Sequence, residues 1–173
     1  PALIFSFSPP PLVFAARHGL FKWPLLGRLM RSLRTVPVYR KQDLRRLSPE
    51  LRAEKNQQSV DALSRAISEG YFSAIFPEGL SHDTPHLQSL KTGVARIYYR
   101  VRQLRPESPP PAIIPVGLHY DKKQFFRSKA LVVFHPPIEL PEELDLVPDT
   151  AEGKEDKIAR DVALTNLIHH ELT

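Results

Sequence analysis

Five short apolar runs, separated by stretches of helical periodicity, constrain this chain more than any other feature. Leu12–Ala16, Thr35–Tyr39, Ser73–Phe76, Ala112–Leu118 and Ala130–Phe134 are too short for helices, and Pro or Gly flanks most of them. That is the pattern of buried strands. Pro37 argues that the second run is an edge or irregular strand, because proline cannot donate to a ladder. Between the runs, Leu25, Leu26, Leu29, Met30 and Leu33 form one helical stripe behind Pro24. Ser48-Pro49 opens a second helix in cap-then-proline order, with Val60, Leu63 and Ile67 on its buried side and Gly70 as its stop. A third stripe comprises Leu90, Val94, Ile97, Val101 and Leu104. A last helix over 158–172 turns Val162, Leu164, Leu167 and Ile168 towards the body. Strands alternating with helices predict an α/β fold with a largely parallel central sheet flanked by helices.

At 173 residues the chain suits one domain, 1–173, within which 139–156 reads as an acidic connector of low order. With no cysteine, disulfides, thiolate catalysis and cysteine-bound zinc are excluded, and a reducing, cytoplasmic setting is suited. No apolar run approaches the ~20 residues that span a bilayer. Pro1–Phe7 is apolar, lacks an initiator methionine and reads as the middle of a structured element, so the chain is expected to be a fragment.

Charge is unevenly placed. Nine basic residues between Arg17 and Arg46 face a single acid, Asp43, while Glu139–Asp156 is strongly acidic. A basic half implies an anionic partner such as phosphate groups, a lipid surface or nucleic acid. Arg28, Arg31 and Arg34 line one side of the first helix, which suits either an anionic membrane surface or a helix packed on the sheet with its arginines in water. The shortness of that helix favours packing.

Chemistry is expected after the third strand, where Pro77, Glu78, Gly79, Leu80, Ser81, His82 and Asp83 follow an apolar run. In open α/β sheets ligands bind outside the carboxyl ends of strands. A plain turn capped by Ser81 and Asp83 is the bland alternative. Gly79-Leu80-Ser81-His82-Asp83 looks like a nucleophile elbow but has Asp83 where that motif needs glycine. Ser81, His82 and Asp83 are also neighbours in sequence, whereas triad members converge from separate segments. His82, Asp83 and His86 lack the spacing of a metal site, so none is expected. No nucleic-acid motif accompanies the arginines, and nucleic acid is not an expected partner. What remains is a site of strand ends: Arg40 after one strand, Glu78 and Ser81 after another, and Lys91 leading the next helix. Cations beside a carboxylate suit an acceptor carrying both phosphate and hydroxyls.

These residues also carry a family resemblance. Val36-Pro37-Val38-Tyr39-Arg40, Phe76-Pro77-Glu78-Gly79 with Leu90-Lys91-x-Gly93, and Ile114-Pro115-Val116 stand in order along the chain. They resemble the second, third and fourth sequence blocks of the glycerolipid acyltransferases, the lysophosphatidate and glycerol-3-phosphate acyltransferases. Phe134-x-Pro136-Pro137-Ile138 is similar to the family's closing strand. Two departures stand out. The third block usually continues Thr-Arg-Ser but here reads Leu80-Ser81-His82, which removes a phosphate-binding arginine for which His82 would be a partial substitute. The first block, His-x-x-x-x-Asp, is absent: His18 meets Trp23, His82 meets Leu87 and His119 meets Gln124.

The resemblance implies an acyltransferase-like fold and transfer of a fatty acyl group from an acyl-CoA or acyl-ACP thioester, the co-substrate, to a hydroxyl of a phosphorylated glycerolipid acceptor. It implies no acyl-enzyme, no bound cofactor and no metal. Arg40, Glu78, Gly79, Ser81, His82 and Lys91 would form the acceptor side, and Ile114, Pro115 and Val116 the acyl-donor side. No catalytic residue is expected within the chain, the family's histidine and aspartate being expected just upstream of Pro1. An anionic membrane surface is the expected site of work, reached peripherally or through an anchor outside these residues. The alternative from another class is a non-catalytic anion- or membrane-surface-binding module of the same fold, with a Ser hydrolase behind it.

Overall fold

The computed structural model describes residues 12–32, 35–38, 47–80, 84, 86–121, 129–149 and 151–172. Expectations for Pro1–Phe7, Leu33, Tyr39, Arg40, Ser81, His82 and Asp83 lie outside them. Strand β1 (Leu12–Arg17) is central in a parallel three-stranded sheet, flanked by β2 (Val36–Val38) and β3 (Phe72–Ala74). Ala15 faces Val36 across one ladder and Leu12 faces Phe72 across the other. Val13 is buried in the core and Ala15 packs against the same cluster, while Leu12, Phe14 and Ala16, which alternate with them along the strand, are half-buried. β2, with Pro37, takes the outer position that a strand lacking one donor tolerates. The carbonyl of Pro37 accepts from Ser59 Oγ at 2.9 Å.

A 3-10 turn (His18–Lys22) that periodicity did not foretell follows β1, and helix α1 (Pro24–Ser32) follows the turn. The expected apolar stripe of α1 does not all face the sheet: Leu25 is 86% and Leu29 50% exposed. Among the described side chains of α1 the buried position is Gly27, held against the backbone of Phe21. Helix α2 (Pro49–Ser68) begins where Ser48 Oγ accepts from the Leu51 N–H at 3.3 Å, and the chain leaves it through Gly70 at φ 91°. Val60 and Leu63 of α2 join Val13, Val36, Ile97 and Val101 in one buried cluster, with Ile67 packed against it.

Helix α3 (Gly93–Leu104) is buried on two sides. Ile97 and Val101 face the sheet and α2, where Ser64, fully buried, lets the helices approach and donates to the Ile97 carbonyl at 3.3 Å. Ala95, Tyr98 and Tyr99 face helix α4 (Lys154–Glu171), meeting Leu164 and Ile168. α4 starts four residues before the expected 158, with Glu155 and Asp156 in its first turn, where carboxylates complement the helix dipole. Val162 is 41% exposed rather than inward. It stands about 200° round the helix from Leu164, which α3 covers.

The fourth and fifth apolar runs are β4 (Val116–Tyr120) and β5 (Ala130–Phe134), paired antiparallel with Leu118 opposite Val132. Among the described residues they form a separate two-stranded sheet, and the parallel part comprises three strands. The connection from Tyr120 to Ala130 is shorter than the dozen or so residues a parallel crossover needs. The ladder opens at Val116 rather than Ala112 because Pro115 has no N–H, although Ile113 still accepts from the Ile138 N–H at 2.9 Å. Within 139–149, tyrosine hydroxyls of α3 fix the chain. Tyr98 donates to Asp145 Oδ1 at 2.6 Å and Tyr99 to the Leu144 carbonyl at 3.0 Å. Burial foremost, then Asp145, pushes Tyr98 well above the usual tyrosine range. Burial raises Tyr99 to about 12 against the pull of Arg160, whose guanidinium lies 4.2 Å over its ring. Arg160 also pairs with Glu152 and lies 3.5 Å from buried Asp161.

Candidate functional site

Parallel strands send their carboxyl ends to one edge, here Arg17, Val38 and Ala74. The loop after β3 therefore lies at the carboxyl edge of the parallel strands, where open α/β sheets bind ligands. Ile75 still packs on the core, and then the chain turns. Pro77 and Glu78 occupy the turn, which closes when the Gly79 N–H donates to the Phe76 carbonyl at 3.1 Å. Gly79 stands at φ 67°, a left-handed backbone in which glycine meets no Cβ penalty. A Cβ there would meet Lys91 Cγ at 3.4 Å, so the lysine stem lies along the bare backbone of the turn.

Two further bonds hold turn and helix together. The Lys91 N–H donates to the Pro77 carbonyl at 2.8 Å, fixing the start of α3 against the loop. The Gln88 N–H donates to Glu78 Oε1 at 3.2 Å, which orients the half-buried carboxylate. The Gln88 side chain in turn donates to Thr84 Oγ1 and the His86 carbonyl, both at 3.1 Å. The result is a carboxylate, an exposed ammonium stem and an unshielded backbone on one loop. That arrangement can take an anion at the lysine and a hydroxyl at the carboxylate.

Of the residues the sequence nominated, Glu78, Gly79 and Lys91 are brought together. Arg40, Ser81 and His82 fall outside the described residues. Ile114, Pro115 and Val116 lie at the start of the β4–β5 hairpin, where the Pro115 carbonyl accepts from the His135 N–H at 3.0 Å. No backbone ladder joins that hairpin to the parallel sheet among the described residues. Gln88, the residue that orients Glu78, was not foreseen, since it acts through its backbone and no side-chain pattern announces that.

The acyltransferase family model matches residues 2–119. The chain belongs to the acyltransferase family. The chain is 44% identical over 70 residues to glycerol-3-phosphate O-acyltransferase 1 of Saccharomyces cerevisiae, covering 40% of the chain and 9% of that protein. It is 42% identical over 64 residues to glycerol-3-phosphate O-acyltransferase 2 of the same yeast, covering 37% of the chain and 8% of the relative. An uncharacterized acyltransferase of Schizosaccharomyces pombe is 33% identical over 103 residues, 56% of the chain and 15% of the relative. The chain thus spans 15% or less of the length of each of these relatives. No solved structure matches it. The acyltransferase match takes in the Phe76–Gly79 turn and Lys91, so the loop assembled above lies within the family's own segment. No described helix is long and apolar enough to cross a membrane.

Proposed function

We propose that this acyltransferase acts on a phosphorylated glycerol acceptor, taking a fatty acyl group from a CoA or acyl-carrier-protein thioester. The observation that carries the reading is the Glu78–Gly79–Lys91 loop. Lys91 holds the acceptor phosphate together with Arg40, Glu78 orients an acceptor hydroxyl, and Gly79 gives the acceptor room beside the backbone. Ser81 and His82 extend this acceptor side, and Ile114, Pro115 and Val116 serve the acyl donor. In the reaction the acceptor oxygen bonds to the acyl carbon while the carbon–sulfur bond breaks. The hydroxyl proton goes to a general base and the thiolate leaves. The relatives named for glycerol 3-phosphate support the acceptor class.

The base is proposed to be the histidine of the family's His-x-x-x-x-Asp block, a pattern that does not occur within these 173 residues. The chain alone is therefore proposed to bind without catalysing. The test is calorimetric titration of the chain with glycerol 3-phosphate. Lys91→Ala should weaken binding about three- to tenfold, a charge-assisted contact discounted for solvent screening. Glu78→Gln should weaken it by a similar factor. Saturable binding that both variants leave unchanged would overturn the site, as would no binding at all. Acyl transfer by the chain above a boiled control would overturn the assignment of the base.

A further inference from the structure

The 3-10 turn and α1 carry a surface that the described residues leave uncovered. Trp23 is 67% and Leu25 86% exposed; Leu29, and to a lesser degree Leu20, are exposed beside them. Leu25 and Leu29 are one helical turn apart and share a face. Gly27 stands on the opposite side, pressed to the Phe21 backbone, so the close contact that seats the helix turns Leu25 and Leu29 outward. The helix is tied at both ends, by the Gly27 N–H to the Trp23 carbonyl at 2.6 Å and the Thr35 N–H to the Met30 carbonyl at 3.0 Å. Turning the leucines inward would break this seating.

The rim of the patch is cationic. Lys22 and Arg28 are exposed next to Trp23 and Leu29, in the segment where nine bases meet one acid. Outward leucines, one tryptophan and flanking cations suit a bilayer interface: apolar groups enter the acyl boundary, the indole rests at the headgroups and the cations meet anionic lipid. The patch follows directly from the carboxyl end of β1, the same edge from which the Glu78–Lys91 loop rises.

We propose that Leu20, Trp23, Leu25 and Leu29, with Lys22 and Arg28, form the face by which this acyltransferase docks on an anionic bilayer, setting the Glu78–Lys91 loop at the level of the lipid headgroups. The inference rests on the proposed glycerolipid acceptor for its purpose, but its test does not. Trp23 is the only tryptophan in the chain, so intrinsic fluorescence reports on this face alone. Adding vesicles of phosphatidylcholine with phosphatidylserine should shift Trp23 emission to the blue, and brominated lipid should quench it. Phosphatidylcholine alone should act weakly, and high salt should weaken the anionic response. Leu25→Glu with Leu29→Glu should reduce partitioning about tenfold or more. Lys22→Gln and Arg28→Gln should each reduce it about fivefold. Circular dichroism and glycerol 3-phosphate titration should be unchanged in all of these variants.

Trp23 emission indifferent to anionic vesicles overturns the proposal, as does undiminished binding by the double glutamate variant. A lipid-free dimer that the same variant dissociates also overturns it, in favour of an interface between copies. Glycerol 3-phosphate binding without vesicle binding defeats the docking face and leaves the loop assignment standing. Vesicle binding without glycerol 3-phosphate binding supports the face and defeats the acceptor reading.

Discussion

Gly27→Ala sets two physical effects against each other at one position. Alanine inside a helix is favoured over glycine by about 1 kcal/mol, so propensity alone predicts a more stable protein. The structure predicts the reverse. A Cβ at Gly27 would stand 2.4 Å from the Phe21 carbonyl oxygen and 3.0 Å from its carbon. A carbon normally comes no closer to a carbonyl oxygen than roughly 3.3 Å, so the helix and the 3-10 turn must part by about 0.9 Å. The atoms in the way are backbone, so no rotamer change relieves them. Overpacking of this kind costs about 1–3 kcal/mol, and with nothing able to yield the upper end applies. Setting about 3 kcal/mol of cost against about 1 kcal/mol of propensity leaves a loss of about 2 kcal/mol. For a chain of this size that lowers the melting temperature by about 4–8 °C. Thermal denaturation followed by circular dichroism measures it, with Trp23 emission as a local readout of the displaced helix. Gly93→Ala is the control, because nothing lies within 4 Å of its Cβ position and its melting temperature should hold or rise slightly. If Gly27→Ala melts as high as that control with Trp23 emission unaltered, the close approach of α1 to Phe21 is wrong.

Two further predictions concern the polar contacts between α3 and α4. Tyr99 has a pKa of about 12 in the fold against 10.0 when exposed, chiefly through burial. A group whose folded pKa is raised contributes stability below its unfolded value and loses it as pH rises through the folded one. Wild-type melting temperature should therefore fall more steeply between pH 10 and 12 than that of Tyr99→Phe; parallel curves would refute the buried phenol. Asp161 is also raised by burial, with Arg160, Lys157 and Arg96 pulling the other way. Its ionised form thus costs stability at neutral pH, and the cost disappears as pH falls through its folded pKa towards 3.8. Asp161→Asn should be more stable than wild type at pH 7 in urea denaturation, with the gap closing in acid. A less stable variant at pH 7 would show that the ion pair with Arg160 outweighs burial.

The sequence by itself determined the elements and the chemistry available to them. Apolar runs bounded by proline and glycine mark strands, since both the run and its breakers are local. Ser48-Pro49 and Gly70 set the ends of α2 for the same reason. The stretch after the third strand was legible as a turn or a site, though the positive φ of Gly79 was not, and the ordered blocks around Arg40, Glu78, Lys91 and Ile114 indicated the family. Other features depended on which surfaces meet. Periodicity shows that α1 has an apolar face but not whether anything covers it; the contact of Gly27 with Phe21 decided that, and turned Leu25 and Leu29 to solvent. Val162 lies outside because α3 covers only the Leu164 side of α4. The antiparallel pairing of β4 and β5 follows from the short reach between them, and their separation from the parallel sheet among the described residues was decided by tertiary packing. At the site, Gln88 holds Glu78 and the stem of Lys91 lies along Gly79 because the Pro77 carbonyl ties the loop to the start of α3. These are contacts across nine to thirteen positions of chain, and they form only once the helix and the strand pack on one core.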